Sequence, residues 1–100
     1  LTLIDFDDCG HGWFMYDLAA SLSFIDNLDG VAELRRNWLE GYSTIRPVSA
    51  ADLAIIDAMI LLRRMALLAW IGSHAETALA AEFRDDFARD TADMALAWLD

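Results

Sequence analysis

Only the first segment of this chain, Leu1–Phe6, has the apolar, β-prone composition of a strand, whereas the residues after about Asp17 follow a helical spacing. A single strand has no neighbour with which to share backbone hydrogen bonds, and even an isolated hairpin is only marginally stable. The sequence therefore predicts a mainly α fold with a short N-terminal β element, whose partner strand lies outside the chain or in another copy. We expect residues 1–100 to form a single unit.

The first two predicted helices flank a turn at residues 27–30. A short helix is expected from Leu18 to about Ile25, with Asp17 positioned to cap its first turn or to stabilise it by charge. The second helix is indicated by apolar residues three and four apart between Val31 and Ile45. It should end before Pro47, since a residue that precedes proline disfavours the α region.

The last two predicted helices are longer. Ser49 to Asp52 resembles a capping box and should begin a helix that reaches about Glu76. Its apolar residues cover nearly the whole circumference, so we expect it to be the buried central helix. The final helix should span about residues 81–99. On its solvent-exposed face, oppositely charged residues four positions apart should form two ion pairs, Asp85–Arg89 and Arg89–Asp93.

Composition and charge exclude several classes of function. Hydrophobic residues make up 57% of the chain, above the ~45–50% of ordinary soluble domains, which predicts surplus apolar surface; the four Trp residues should lie mostly in the core. A net charge of −10 argues against binding to nucleic acids or anionic membranes. The acidic residues are explained either as ordinary solvated surface charge or, alternatively, as part of an acidic cleft that binds a cationic substrate.

The chain shows no sign of a membrane span or of a disulfide framework. Asp57, Arg63 and Arg64 interrupt the most apolar stretch, and a span of ~20 apolar residues would not carry three central charges. The arginines at 63 and 64 are expected to form a buried or snorkelling ion pair with an aspartate rather than to reach a substrate anion. The single cysteine, Cys9, favours a reducing, cytoplasmic location.

Three carboxylates, Asp5, Asp7 and Asp8, stand where the predicted strand gives way to a glycine-containing loop. Carboxylate oxygens at a strand end are suitable ligands for Mg²⁺, a hard cation that bridges to substrate phosphates. Asp7 and Asp8 are equally well explained as turn residues. The turn explanation fits Asp5 less well, because Asp5 lies between Ile4 and Phe6 and interrupts an otherwise apolar strand.

The stretch from Leu3 to Gly10, read with Tyr16-Asp17-Leu18-Ala19, resembles the aminoglycoside phosphotransferase family of kinase-like enzymes. That family includes choline, homoserine and hydroxylysine kinases and a bacterial stress-response kinase. More faintly, residues 61–70 are similar to an arginine-containing helix of the homoserine and stress-response kinase branches. Only the first nineteen residues carry specific motifs, although the order of the helices fits the C-terminal part of the family.

The resemblance implies roles for particular residues. Asp5 matches the aspartate that binds Mg²⁺, Asp5 and Asp7 would contact the metal-bound ATP, and Asp17 matches the aspartate that braces the catalytic loop. The family's His-Gly-Asp catalytic loop, with its downstream Asn, does not occur here, and neither does any lysine. We therefore expect the helical C-lobe portion of a kinase-like fold without its N-lobe, with no catalytic residue of its own.

The resemblance also implies an activity for the parent protein: transfer of phosphate from ATP to a hydroxyl of a small molecule, or of a protein Ser or Thr. Two alternatives remain. Asp5-Phe6-Asp7 satisfies the Asp-x-Asp motif of haloacid-dehalogenase-type phosphatases, although these require a lysine and alternating strands. The chain also fits a non-catalytic helical dimerisation module. Because of its unpaired strand and surplus apolar residues, we expect the isolated chain to self-associate.

Overall fold

Five helices make up the regular secondary structure of the computed structural model, which describes residues 1–5 and 10–100. The mainly α prediction is therefore confirmed. In chain order the helices are α1 (Met15–Ser21), α2 (Val31–Ser43), α3 (Ala50–Ala54), α4 (Ile56–Ser73) and α5 (Ala78–Leu99).

The predicted strand does not form in the part of Leu1–Phe6 that the structure describes. Residues 1–5 have no regular secondary structure and are exposed to solvent, and Phe6 lies outside the described residues. A strand requires a ladder of backbone hydrogen bonds to a neighbour, and residues 10–100 contain no strand that offers one. The apolar composition of this segment indicated its β propensity but not a partner.

Helix α1 begins earlier than predicted. Its first residue is Met15, and Phe14 at the N-cap position makes no side-chain capping bond. Asp17 lies inside the first turn, where a carboxylate interacts favourably with the positive end of the helix dipole. The expectation that Asp17 caps the helix is therefore wrong, whereas its placement for charge stabilisation is confirmed.

The predicted capping box is present, but the helix that it begins is interrupted. The Ser49 hydroxyl accepts a hydrogen bond from the Asp52 N–H, and Asp52 Oδ2 accepts one from the Ser49 N–H, both at 3.0 Å. The N–H of Ile55 bonds back three residues to Asp52, a tightened turn of the kind found at helix ends. This turn separates α3 from α4, and α4 ends at Ser73 rather than near Glu76.

Helix α4 occupies the centre of the molecule and packs against both α1 and α5. Its buried residues recur three or four apart on one face: Ile56, Ile60, Arg64, Leu67 and Ile71. The predicted central position of this helix is therefore confirmed, but on its other side Leu62 and Met65 are 44% and 57% exposed, so the prediction that it is buried is wrong for that side. No helix of the described residues is long and apolar enough to cross a membrane.

Two hydrophobic clusters lie along α4. The first joins Met15, Leu18 and Leu22 to the beginning of α4, and α2 covers it with partly buried residues that include Trp38 and Tyr42. The second joins the end of α4 to α5; there Phe24, in the chain segment after α1, stacks on Phe83 with the ring centroids 4.6 Å apart. The amphipathic stripe predicted between Val31 and Ile45 is therefore confirmed at Val31, Trp38 and Tyr42, but Leu34 and Ile45 are 50% and 90% exposed.

The tryptophans do not all lie in the core, as the sequence had suggested. Trp38 and Trp70 pack against the two clusters, but Trp13 and Trp98 are 67% and 56% exposed. These two residues lie just before α1 and at the end of α5. In both places no described helix packs over the tryptophan side chain. The spacing of apolar residues in the sequence does not show which faces other helices will cover.

The predicted arginine–aspartate pairing occurs at Arg64. Its Nη1 lies 2.7 Å from Asp26 Oδ1, and both side chains are almost fully buried. On the surface of α5 the expected pairs are wrong, because Arg89 contacts Asp86 at 3.0 Å rather than Asp85 or Asp93. Residues three and four apart are both within reach of an arginine on a helix, so sequence spacing alone does not select the partner.

Candidate functional site

A cavity of about 710 Å³ opens where the glycine-containing loop meets the first helix. Its walls are formed by residues 10–14, by Tyr16, Asp17 and Ala20 of α1, and by Arg63 of α4. We call it the loop cavity. Its volume lies within the range of small-molecule sites, and it combines backbone groups, aromatic rings and two opposite charges.

Arg63 supplies the positive charge of the loop cavity. Its Nε donates to the Ser23 hydroxyl at 3.0 Å, and its Nη1 donates to the Tyr16 hydroxyl at 3.3 Å. These bonds hold the half-buried guanidinium on the cavity wall. No carboxylate lies within ion-pair distance of it in residues 1–5 and 10–100, which differs from the pairing predicted for both arginines. A guanidinium held in this way can receive the oxygen of a phosphate or carboxylate.

Asp17 lies on the same cavity, in the first turn of α1. Its side chain is exposed, and within the described residues it takes part in neither a hydrogen bond nor an ion pair. The helix itself therefore does not occupy the carboxylate oxygens. In its predicted role as a brace, the Asp17 carboxylate would accept hydrogen bonds from the backbone of a catalytic loop. This role stays a prediction.

Asp5, the predicted metal ligand, is exposed and has an unusual backbone conformation. Its φ angle is +66°, in the left-handed region that few residues other than glycine adopt, although aspartate and asparagine tolerate it best. Residues held in such sparsely populated conformations cluster at functional sites. Asp5 does not line the loop cavity, and Asp7, the second predicted cofactor contact, lies outside the described residues.

The metal-binding capacity of the chain can be tested against its donor atoms. Across the residues that the structure describes, no group of three or more His, Cys, Asp or Glu side chains is placed to hold an ion. The carboxylate of Asp5 is nevertheless of the oxygen type that Mg²⁺ requires, and the residue is exposed. A single carboxylate of this kind suits a metal that takes its other ligands from phosphates and water.

Sequence reasoning missed several residues that the structure places at cavities. Tyr16 precedes the predicted Asp17 and holds Arg63 in place, a role that its position beside the motif could have suggested. Phe14, on the wall of the loop cavity, lies 3.8 Å below the guanidinium of Arg46. Asp26, the buried partner of Arg64, gave no signal, because it looks like an ordinary residue of the turn that includes Asn27 and Asp29.

Comparison with known proteins gives one match. The sequence model of the phosphotransferase enzyme family matches residues 1–55, which include Asp5, Asp17 and most of the loop cavity. No curated protein and no solved structure matches the chain. The matched segment is more than half of the 100 residues.

Proposed function

Because the chain belongs to the phosphotransferase enzyme family, we propose that the intact protein transfers the γ-phosphoryl group of ATP to a hydroxyl group. The acceptor is a small molecule or, alternatively, a protein Ser or Thr. The observation that carries the proposal is the match over residues 1–55, since both motif aspartates lie in that segment. The helical fold is compatible with it, because α2 to α5 all follow Asp17 in the chain.

Asp5 is the residue that we propose as the Mg²⁺ ligand. When bound, the ion neutralises the charge that develops on the phosphate oxygens during transfer. The chain's own contribution is to present a solvent-exposed carboxylate on a residue whose φ is +66°. Asp7, two residues later, is proposed as a further contact with the metal-bound nucleotide.

Asp17 is proposed to position the catalytic loop rather than to touch the reacting groups. A carboxylate can accept several backbone N–H bonds, and such bonds fix a loop strongly when they are shielded from water. Its exposed location on the loop cavity leaves it available for this contact. The catalytic base, the second metal ligand and the lysine that anchors phosphate are proposed to come from other residues of the intact protein, since this chain has no lysine.

We also propose a cytoplasmic location, where ATP and Mg²⁺ are abundant. The single cysteine supports a reducing compartment. The net charge of −10 supports a protein that does not bind nucleic acids or anionic membranes.

The proposal is tested by the Asp5→Asn variant of the intact protein. Asparagine tolerates the left-handed backbone conformation as aspartate does, so the substitution removes the charge without adding strain. We expect the kcat of Mg²⁺-dependent ATP turnover to fall by at least about 100-fold, the usual cost of losing one preorganised electrostatic group. ADP formation is the readout, measured with a mixture of hydroxylated small molecules and a Ser/Thr peptide, because transfer to any acceptor releases ADP while the phosphate stays on the acceptor.

The matched control is Asp29→Asn, a change of the same chemistry in an exposed turn residue. It should leave turnover within about twofold of wild type, because surface substitutions of this kind are nearly neutral. Turnover by Asp5→Asn at the level of the Asp29→Asn control would remove the metal assignment. A wild-type protein that forms no ADP from Mg²⁺-ATP with any member of this acceptor mixture would refute the phosphotransferase proposal itself.

A further inference from the structure

Arg63 has hydrogen-bonding capacity on the loop cavity that no other described residue uses. A guanidinium carries five N–H groups, and within the described residues Nε donates one bond to Ser23 and Nη1 donates one to Tyr16. Nη2 has no partner there. The only buried side-chain N or O atom without a partner in residues 1–5 and 10–100 is Asp26 Oδ2. Nη2 of Arg63 is therefore accessible to solvent rather than buried.

The direction of this guanidinium is fixed by the segment after α1. Ser23 Oγ donates to a backbone carbonyl of α1 at 2.6 Å, so its lone pairs remain for Arg63 Nε. The next residue, Phe24, has a φ of +68°, which is a strained conformation for a bulky side chain. Its ring packs on Phe83 and Phe87 of α5, with centroids 4.6 and 5.4 Å away. Packing against α5 therefore holds the segment that positions Arg63.

The charges around the loop cavity favour a carboxylate as the ligand group. Asp17 lines the same cavity but forms no ion pair with Arg63, and guanidinium ions form charge-assisted hydrogen bonds with carboxylates and phosphates. A phosphate monoester carries roughly 1.5 to 2 negative charges at neutral pH. Asp17 and the net charge of −10 therefore oppose a phosphate more strongly than a carboxylate, which carries a single charge.

Aromatic side chains give the loop cavity an apolar surface beside this cation. Trp13 and Phe14 line the cavity and are 67% and 48% exposed. Such rings pack favourably against another ring in offset or edge-to-face geometry. The volume of about 710 Å³ is sufficient for a small organic molecule. The cavity therefore suits a ligand that combines a carboxylate with an apolar body.

We propose that the loop cavity binds the acceptor of the reaction, and that this acceptor is a small alcohol that carries a carboxylate. Arg63 binds the carboxylate through Nη2, and Trp13 and Phe14 contact the apolar body. Arg63 is then a specificity-determining residue, whereas Ser23 and Tyr16 are positioning residues that act through it. The role as acceptor rests on the proposed phosphotransferase function, but binding of the carboxylate does not.

The carboxylate is not consumed in the transfer. The acceptor hydroxyl oxygen forms a bond to the γ-phosphorus of ATP, and the bond from that phosphorus to the bridging oxygen breaks, so that ADP leaves. The hydroxyl proton passes to the catalytic base of the intact protein. Arg63 contributes by orienting the acceptor, because a bound carboxylate at one end fixes where the hydroxyl at the other end lies.

Titration of the intact protein without ATP tests the carboxylate site apart from any activity. Isothermal titration with para-hydroxymethylbenzoate should show saturable binding with a dissociation constant on the order of 1 mM, as expected for so small a ligand. Para-xylylene glycol has the same ring with a neutral group in place of the carboxylate, and para-(aminomethyl)benzyl alcohol has a cationic one. We expect both to bind at least about tenfold more weakly.

Two pairs of variants locate the ligand. Arg63→Gln should weaken binding of para-hydroxymethylbenzoate at least about tenfold, because a hydrogen-bonded charge pair is lost. Arg36→Gln, the same change at an exposed arginine of α2 outside the cavity, should leave binding within about twofold. Trp13→Ser should weaken binding at least about threefold through the lost ring contact. Trp98→Ser, the same change at an exposed tryptophan outside the cavity, should leave it unchanged. Because Trp13 is exposed, its variant tests the site even if Arg63→Gln does not fold.

ADP formation tests the role as acceptor. In wild type, para-hydroxymethylbenzoate should support ADP formation with a kcat/KM at least about tenfold above that of para-xylylene glycol. Arg63→Gln should raise the KM for para-hydroxymethylbenzoate at least about tenfold and leave the KM for ATP within about twofold. A comparable rise in the KM for ATP would place the nucleotide phosphates at Arg63 and would overturn the acceptor assignment.

Failure of this inference is distinguishable from failure of the phosphotransferase proposal. Equal binding of para-hydroxymethylbenzoate and para-xylylene glycol would overturn the carboxylate site, as would unchanged binding to Arg63→Gln or to Trp13→Ser. ADP formation with other acceptors would still support the phosphotransferase proposal in that case. Selective binding of para-hydroxymethylbenzoate without ADP formation from any acceptor would instead overturn the role as acceptor.

Discussion

Arg64 carries a full positive charge within the helical core, with 1% of its surface exposed. Transfer of such a charge from water is unfavourable unless a partner and hydrogen bonds compensate for it. Asp26, Thr91 and the Phe87 carbonyl provide this compensation, and they tie the segment after α1 and the helix α5 to the centre of α4. The residue therefore links three parts of the chain at one point.

Truncation of Arg64 should strongly lower the free energy of unfolding. Arg64→Ala leaves Asp26 buried without its counter-charge, and we expect a loss of about 3–5 kcal/mol in the free energy of unfolding. Arg89→Ala removes an ion pair whose side chains are 67% and 80% exposed, and it should cost less than about 1 kcal/mol. Urea denaturation followed by circular dichroism compares the two. Equal losses would contradict the account of Arg64 as a core residue.

At this scale the sequence predicted types of interaction better than partners. The two adjacent charges in an apolar helix correctly indicated a buried ion pair for Arg64. They did not indicate Asp26, since the pair joins residues 38 positions apart and depends on how the segment after α1 folds back over α4. Arg63, one position away, points instead to Tyr16 and Ser23, because neighbouring residues on a helix face different directions.

At the scale of single elements, the most local signals were the most reliable. The capping box at Ser49 depends on residues three positions apart and is present, and three apolar positions predicted for α2, Val31, Trp38 and Tyr42, pack against the first cluster. The start of α1 at Met15 and the turn at Ile55 were missed, since neither has a side-chain capping signal. The exposed side of α4 could not be predicted either, because it depends on which helices cover it.

The capping box leads to a prediction about pH. Two hydrogen bonds hold the pKa of Asp52 below its ordinary value of 3.8. The larger effect comes from the Ser49 N–H, and the smaller one from the Ser49 hydroxyl. The folded state therefore favours the ionised form, and this contribution to stability is fully present above pH ~4 and is lost as the pH falls through the lowered pKa. A carbon-detected NMR titration should give a lowered pKa in wild type and a higher one in Ser49→Ala. An Asp52 pKa at or above 3.8 in wild type would contradict the capping box.

The whole molecule exposes more surface than is usual for its mass. Its accessible area is 7394 Å², against about 5,700 Å² for a typical folded monomer of 11.2 kDa. Its radius of gyration is 14.7 Å, compared with about 13 Å for a compact 100-residue domain. Large apolar side chains contribute to the excess, among them Ile4, Trp13 and Trp98. This surface agrees with the surplus of hydrophobic residues noted in the sequence.

Self-association is the prediction at this scale. The 100-residue chain produced by itself should form dimers or larger assemblies, because extensive exposed apolar surface drives association. Sedimentation velocity over a range of protein concentrations would measure it. Substitution of Trp13 and Trp98 by serine should shift the equilibrium toward the monomer, whereas Trp38→Ser, which alters a partly buried residue of the first cluster, should instead destabilise the fold. A chain that remains monomeric at high concentration would contradict this prediction.

The assignment of Asp5 as the metal ligand of a phosphotransferase carries most of the proposed function. Electron paramagnetic resonance measures it directly, with Mn²⁺ in place of Mg²⁺, in the intact protein with a non-hydrolysable ATP analogue. We predict that Asp5→Asn weakens nucleotide-dependent Mn²⁺ binding at least about tenfold, as the loss of a ligand requires, and that Asp29→Asn leaves it unchanged. Equal Mn²⁺ affinity in wild type and Asp5→Asn would contradict the claim.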